Sequence, residues 1–169
     1  MNNKLHFVSI GLSGTSTGTA SRQKLQLMAR AIIEGGDKFS IISHSFVKKS
    51  LPLNESYKHI LHGINYVNTS PFIYSPSSII KKVYGKTLGF FKELLLVISL
   101  NRKNNLDGIF IYTMSFSYLS FWGIICKIIK IPVSLIYFEL RSSVPSRKGF
   151  FIRLNDYLLI IILLNIVME

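Results

Sequence analysis

Apolar positions along this chain switch repeatedly between two periods. Short β-branched or aromatic runs alternate with segments whose apolar residues recur at helical spacing. Leu5 to Ile10 predicts a strand, and it passes through the small-residue stretch Gly11 to Thr19 into an amphipathic helix. That helix is predicted from Ala20, with Thr19 or a neighbouring hydroxyl as cap and Leu25, Met28, Ala29 and Ile32 on one face, and Gly35-Gly36 ends it. Phe39 to Ser43 predicts a second strand and Ile64 to Val67 a third; the segment between His44 and His62 reads as irregular and polar. Pro71 and Pro76 mark a loop, and a long helix or pair of helices follows from about Ser77 to Asn101, with Gly85 and Gly89 as possible breaks. The remaining elements are a turn at Asn104 to Asp107, strand 108–113, helix 117–130, strand Val133 to Phe138, a polar loop from Glu139 to Lys148 and an apolar helix from Gly149 onward. Strands separated by helices predict an α/β fold with a mostly parallel sheet covered on both faces, and ligands at the carboxyl ends of the strands.

The opening loop is the first place to look for chemistry. The first amide N–H groups of a helix lack intrahelical partners and carry the positive end of its dipole, so a small-residue loop there can wrap an anion. Glycines at 11, 14 and 18 fit neither the phosphate loop of ATPases, which also needs a Lys that is missing between Lys4 and Lys24, nor the Gly-x-Gly-x-x-Gly dinucleotide spacing. Both of those functions are excluded. A tight turn that needs glycine for its backbone angles accounts for the same residues as well as anion binding does.

Composition narrows the class. The 169 residues are 49% hydrophobic and 17% charged, with a mean hydropathy of +0.36, and their length fits one domain. Cys126 is the lone cysteine, so no internal disulfide forms; it reads as a small core hydrophobe in a reducing, cytoplasmic compartment. Gly108 to Cys126 carries no charge and nears the roughly 18–20 residues that span a bilayer, yet Met114 to Ser117 is turn-like and divides it into a strand and a helix. The apolar part of Leu5 to Leu12 is too short for a signal peptide.

Net charge is +12, which favours a polyanionic partner. Between Ser77 and Asn105, Lys81, Lys82, Lys86, Lys92, Arg102 and Lys103 stand against Glu93 alone, interleaved with Ile79, Ile80, Val83, Tyr84, Phe90 and Phe91. Cations mixed with large apolar side chains suit an anionic membrane surface, contacted through Lys81, Lys82, Lys86 and Lys92; a core-facing helix with a solvated lysine face is the alternative. Nucleic acid is not expected, because no recognised nucleic-acid motif accompanies the charge.

Histidines offer little at this level. His59 and His62 fit one helical face but lack a third ligand for zinc, while His6 and His44 lie in or beside strands without an evident partner. Trp122, Phe116, Tyr118 and Phe121 read as helix packing, and no metal or cofactor is expected.

Several segments, in order, resemble the amino-terminal domain of family 4 glycosyltransferases of the GT-B fold. They are strand Leu5 to Ile10, the loop with Gly14 and Gly18, the helix ending in Glu34-Gly35-Gly36, Ile41-Ile42-Ser43, Ile109 to Tyr112, Gly123 to Lys130, and Ile131-Pro132-Val133 leading to Glu139-Leu140-Arg141. The resemblance spans nearly all 169 residues. It implies a Rossmann-like three-layer domain, one half of a GT-B fold, that binds mainly the acceptor while a second such domain holds the nucleotide sugar.

That donor domain has no counterpart in these residues. The family's pair of glutamates eight positions apart is missing, since the positions eight beyond Glu34, Glu55, Glu93 and Glu139 hold Ile42, Gly63, Asn101 and Arg147. The resemblance therefore implies sugar transfer from a nucleotide-sugar donor to a polysaccharide or lipid-linked acceptor only with a second glycosyltransferase half, and a truncated chain inactive alone. Gly14, Thr15 and Gly18 would lie against donor phosphates or acceptor; Arg141 could clamp a phosphate or carboxylate, and Glu139 could orient a sugar hydroxyl or pair with Arg141. Many family members carry a histidine near that strand end, where this chain reads Glu-Leu-Arg. The expected location is the cytoplasm, peripheral on the inner membrane face. A non-catalytic membrane-docking or binding module, or an inactive remnant, is the alternative.

Overall fold

The computed structural model describes residues 4–11, 20–46, 58–113, 115–136 and 149–167. Its elements run β1 (His6–Ile10), α1 (Ala20–Glu34), β2 (Lys38–Ser43), β3 (Lys58–Leu61), β4 (Ile64–Asn68), α2 (Ile79–Arg102), β5 (Gly108–Tyr112), α3 (Phe116–Ile129), β6 (Val133–Ile136) and α4 (Phe150–Val167). The strands form one sheet in the order β3-β4-β2-β1-β5-β6, parallel throughout except for the antiparallel β3 and β4 pair. This is the α/β, Rossmann-like arrangement expected from the alternating periods.

Strand periodicity sorts the core into two layers. Val8 and Ile10 of β1, Ile42 of β2, Val67 of β4, and Ile109 and Ile111 of β5 face α2, α3 and α4, where Val97, Leu119, Trp122 and Leu159 meet them. The alternate residues Phe39, Ile41, Ile64 and Tyr66 face α1 through Leu25 and Ala29. The change of side follows from right-handed crossovers. The chain builds outward from β1 to β2 with α1 on one face, then returns to add β5 on the other flank of β1, which puts the later helices on the opposite face.

Three local expectations change. β3 lies inside the segment read as irregular, and a two-residue turn joins it to β4, with His62 (φ 52°) and Gly63 (φ 78°) both left-handed and Leu61 paired with Ile64. Those angles match the twist of a hairpin. The strand also overturns the shared helical face for His59 and His62. Finally, α2 is one unbroken helix of 24 residues, because Gly85 and Gly89 lie on its buried face and permit close approach instead of breaking it.

The division of Gly108 to Cys126 into strand and helix holds. Among the described residues no helix is long and apolar enough to cross a membrane.

Candidate functional site

The chain direction across the sheet reverses between β1 and β5, leaving a crevice above the carboxyl ends of adjacent strands. A cavity of about 530 Å³ lies there, lined by Gly11, His44, Lys86, Phe90, Thr113, Ser115, Ser117, Tyr118 and Phe121. Gly11, His44 and Thr113 are the residues immediately after β1, β2 and β5. Gly11 has φ +86°, and a Cβ there would lie 2.5 Å from the Tyr112 carbonyl oxygen and 2.9 Å from the Tyr118 ring. Only glycine fits this corner.

The wall of the cavity is held by a carboxylate from inside the protein. Glu93 has 0% exposure in the middle of α2. Tyr118 Oη–H donates to Glu93 Oε1, and His44 Nδ1 lies 2.6 Å from Glu93 Oε2. A carboxylate only accepts, so Nδ1 carries a proton toward Glu93 and the ring turns its Nε2 edge away from it. Among the described residues nothing hydrogen-bonds Nε2, and the His44 side chain, 20% exposed, reaches the cavity. Ring contacts fix its plane: Tyr118 stacks on it at 5.7 Å and Phe90 meets it edge-on at 6.0 Å. Burial first, and then the Glu93 charge and hydrogen bond, push the Tyr118 phenol far above its ordinary pKa. Tyr118 is therefore a permanent donor to Glu93.

Small residues bring α2 close enough for this contact. A Cβ on Gly89 would approach His44 Cβ and Ser70 Cα to 3.1 Å, and one on Gly85 would meet the Phe72 and Phe46 rings at 2.9 to 3.0 Å. Glu93 follows Gly89 by one turn on the same buried stripe, which Val97 continues. Thr69 closes the seam by donating from Oγ1 to the Gly89 carbonyl at 2.8 Å.

The arrangement is suited to a polyhydroxylated ligand. The three hydroxyls of Thr113, Ser115 and Ser117, the His44 imidazole and the Lys86 cation line the same space as the Phe90, Tyr118 and Phe121 rings. Polar edges and apolar faces are what a sugar ring presents. Among the described residues no group of three or more His, Cys, Asp or Glu is placed to hold a metal.

A second cavity, of about 470 Å³, lies across α2 between Lys58, Asn68, Thr69, Ser70 and Lys92. Its hydrogen-bonding groups serve the fold: Asn68 Oδ1 accepts from the Ser70 N–H, and the Ser70 hydroxyl accepts from the Phe72 N–H. The first cavity has the His44 imidazole, with its Nε2 edge unpartnered among the described residues, and is the stronger site.

Gly14, Thr15, Gly18, Glu139 and Arg141 lie outside the described residues. Of the four lysines, Lys86 lines the first cavity and Lys92 the second, while on the opening turns of α2 Lys81 is exposed and Lys82 half-buried. The histidines are better connected than the sequence indicated. His6 bonds the Asn105 carbonyl at 2.7 Å and the Ser40 hydroxyl at 2.8 Å, and His44 has Glu93. Trp122 is core, as read, whereas Tyr118 also anchors the site. One signal for Glu93 was present: it is the single acid between Glu55 and Asp107, four and eight positions beyond two glycines.

No protein-family model matches the chain, and no curated protein matches it. Among solved structures, sucrose-phosphate synthase from Thermosynechococcus elongatus is similar with a TM-score of 0.54 and 12% identity, over 90% of this chain and 39% of that one. The C-terminal domain of a hydrogenase from Pyrococcus furiosus is similar with a TM-score of 0.51 and 15% identity, over 80% of this chain and 93% of that domain. The chain thus spans well under half of the synthase, and both similarities are of fold.

Proposed function

We propose that this chain is the acceptor-side half of a GT-B glycosyltransferase of the family 4 type, acting with a second α/β domain that holds the nucleotide sugar. The observation that carries the reading is the imidazole of His44, fixed by buried Glu93 and directed into a hydroxyl-lined, aromatic cavity at the strand-order reversal. In glycosyl transfer an acceptor hydroxyl replaces the nucleoside diphosphate at the sugar's anomeric carbon. His44 Nε2 accepts a hydrogen bond from that hydroxyl and orients it, while Lys86 balances negative charge on a phosphorylated acceptor. By the family resemblance, Gly14, Thr15 and Gly18 would contact donor phosphates or acceptor, Arg141 a phosphate or carboxylate, and Glu139 a sugar hydroxyl or Arg141. The likeness of fold to a synthase of sucrose phosphate supports this class.

The fold also occurs in a domain of a hydrogenase, so the fold by itself does not require sugar transfer, and a binding module without transferase activity is the second reading. Saturation-transfer NMR with a panel of sugars and sugar phosphates, paired with a transfer assay using a labelled nucleotide sugar, separates the readings. Sugar binding by the chain, lost in His44→Ala, without turnover until a donor domain is added, is the expected result. Turnover by the chain alone, or binding unaffected by His44→Ala, would overturn the proposed division of labour.

A further inference from the structure

The opening turns of α2 are largely exposed, with Lys82 alone among residues 79–84 half-buried. None of residues 79–84 is buried, and the inward stripe of the helix begins only at Gly85. Ile79 is 77% exposed, Ile80 81%, Val83 61% and Tyr84 57%. An ordinary amphipathic helix puts such residues inward. Here the inward positions go to Gly85, Gly89 and Glu93, and the large side chains stand in solvent. Lys81, Lys82 and Lys86 are interleaved with them, and no acidic residue occurs from Pro76 to Lys92. The positive end of the helix dipole adds to the same field.

We infer that these turns dock the protein on an anionic lipid surface, with Ile79, Ile80, Val83 and Tyr84 entering the interface and Lys81, Lys82 and Lys86 meeting the headgroups. Charge complementarity selects this occupant. A bilayer surface takes up large apolar side chains and cations side by side, whereas a nucleic-acid backbone would leave the isoleucines in water. Lys86 belongs both to this patch and to the cavity wall, so docking sets the mouth of the cavity beside the lipid headgroups.

Co-sedimentation with phosphatidylcholine vesicles, with and without phosphatidylglycerol, tests the inference. The measurement contains no sugar, so it succeeds or fails independently of the glycosyl-transfer reading. The chain is expected to sediment with phosphatidylglycerol vesicles and to be released by high salt. Replacing Lys81 and Lys82 together by Gln weakens binding by about 30-fold, from roughly fivefold for each cation near the surface. Ile79→Ser with Ile80→Ser weakens it independently of salt, and an unchanged Trp122 emission spectrum verifies that each variant is folded. Failure to sediment with phosphatidylglycerol vesicles overturns the inference, as does equal sedimentation with phosphatidylcholine alone.

Discussion

Glu93 and His44, 49 positions apart in the chain, meet at 2.6 Å where the middle of α2 crosses the carboxyl end of β2. The contact joins the core to the cavity. One end of the pair is a fully buried carboxylate, and the other presents a ring nitrogen to the space in which a ligand would sit.

Removing the carboxylate should therefore be costly. Glu93→Leu strands the His44 Nδ1–H and the Tyr118 hydroxyl without their acceptor, and a loss of about 1–3 kcal/mol for each stranded donor is expected. Tyr118→Phe deletes a single donor and should cost about 1–3 kcal/mol. Urea unfolding of the two variants checks both the magnitudes and their order.

Two helical glycines should respond to alanine with opposite signs. Gly89→Ala places a methyl 3.1 Å from His44 Cβ and Ser70 Cα, where one neighbour is backbone, and should destabilise by about 1–3 kcal/mol. Gly123→Ala in α3 meets nothing within 4 Å and should stabilise by roughly 0.5–1 kcal/mol through helix propensity. Thermal melts of the two variants against the wild type decide the signs.

His6 should make stability depend on pH. Burial, with the neighbouring Lys38 charge, lowers its pKa from the ordinary 6.5, opposed by the Asn105 carbonyl and Asp107. The unfolded chain therefore binds the proton at higher pH than the folded one. Its contribution to stability is complete above 6.5 and is lost as pH falls from there through the lowered folded value. Denaturation midpoints across this range should fall with acid, and His6→Leu should flatten that slope while lowering stability at pH near 8 through two lost hydrogen bonds.

Cys126 should be inert in the folded protein. Its thiol is buried in the core, and burial pushes its pKa up to about 11. Reaction with Ellman's reagent should be at least ~100-fold slower in buffer than in denaturant, since access and thiolate are both scarce.

Most of the fold was legible because each strand and helix carries its own period. β1, β2, β4 and β5 are short apolar runs between turn residues, and α1 ends at a glycine pair whose second member has φ +96°. β3 was not legible, since Lys58-His59-Ile60-Leu61 is an edge strand with little apolar alternation and its turn is His-Gly, where Asn-Gly would have been recognised. The site was less visible than the fold. His44, Glu93 and Tyr118 come from three separate elements, and only tertiary packing across Gly89 brings them together. Gly11 was noticed as one of three loop glycines, but its need for glycine arises from Tyr112 and Tyr118, more than a hundred residues away.

The proposed role of the cavity is tested most directly at the His44 ring itself. Proton–carbon correlation spectra of histidine-labelled protein, recorded while sugar phosphates are added, should move the His44 ring signals and leave those of His6, at the opposite end of β1, in place. Binding that leaves the His44 signals unmoved, or a panel of sugars and sugar phosphates that produces no shift at all, would contradict the assignment of this cavity to a sugar acceptor.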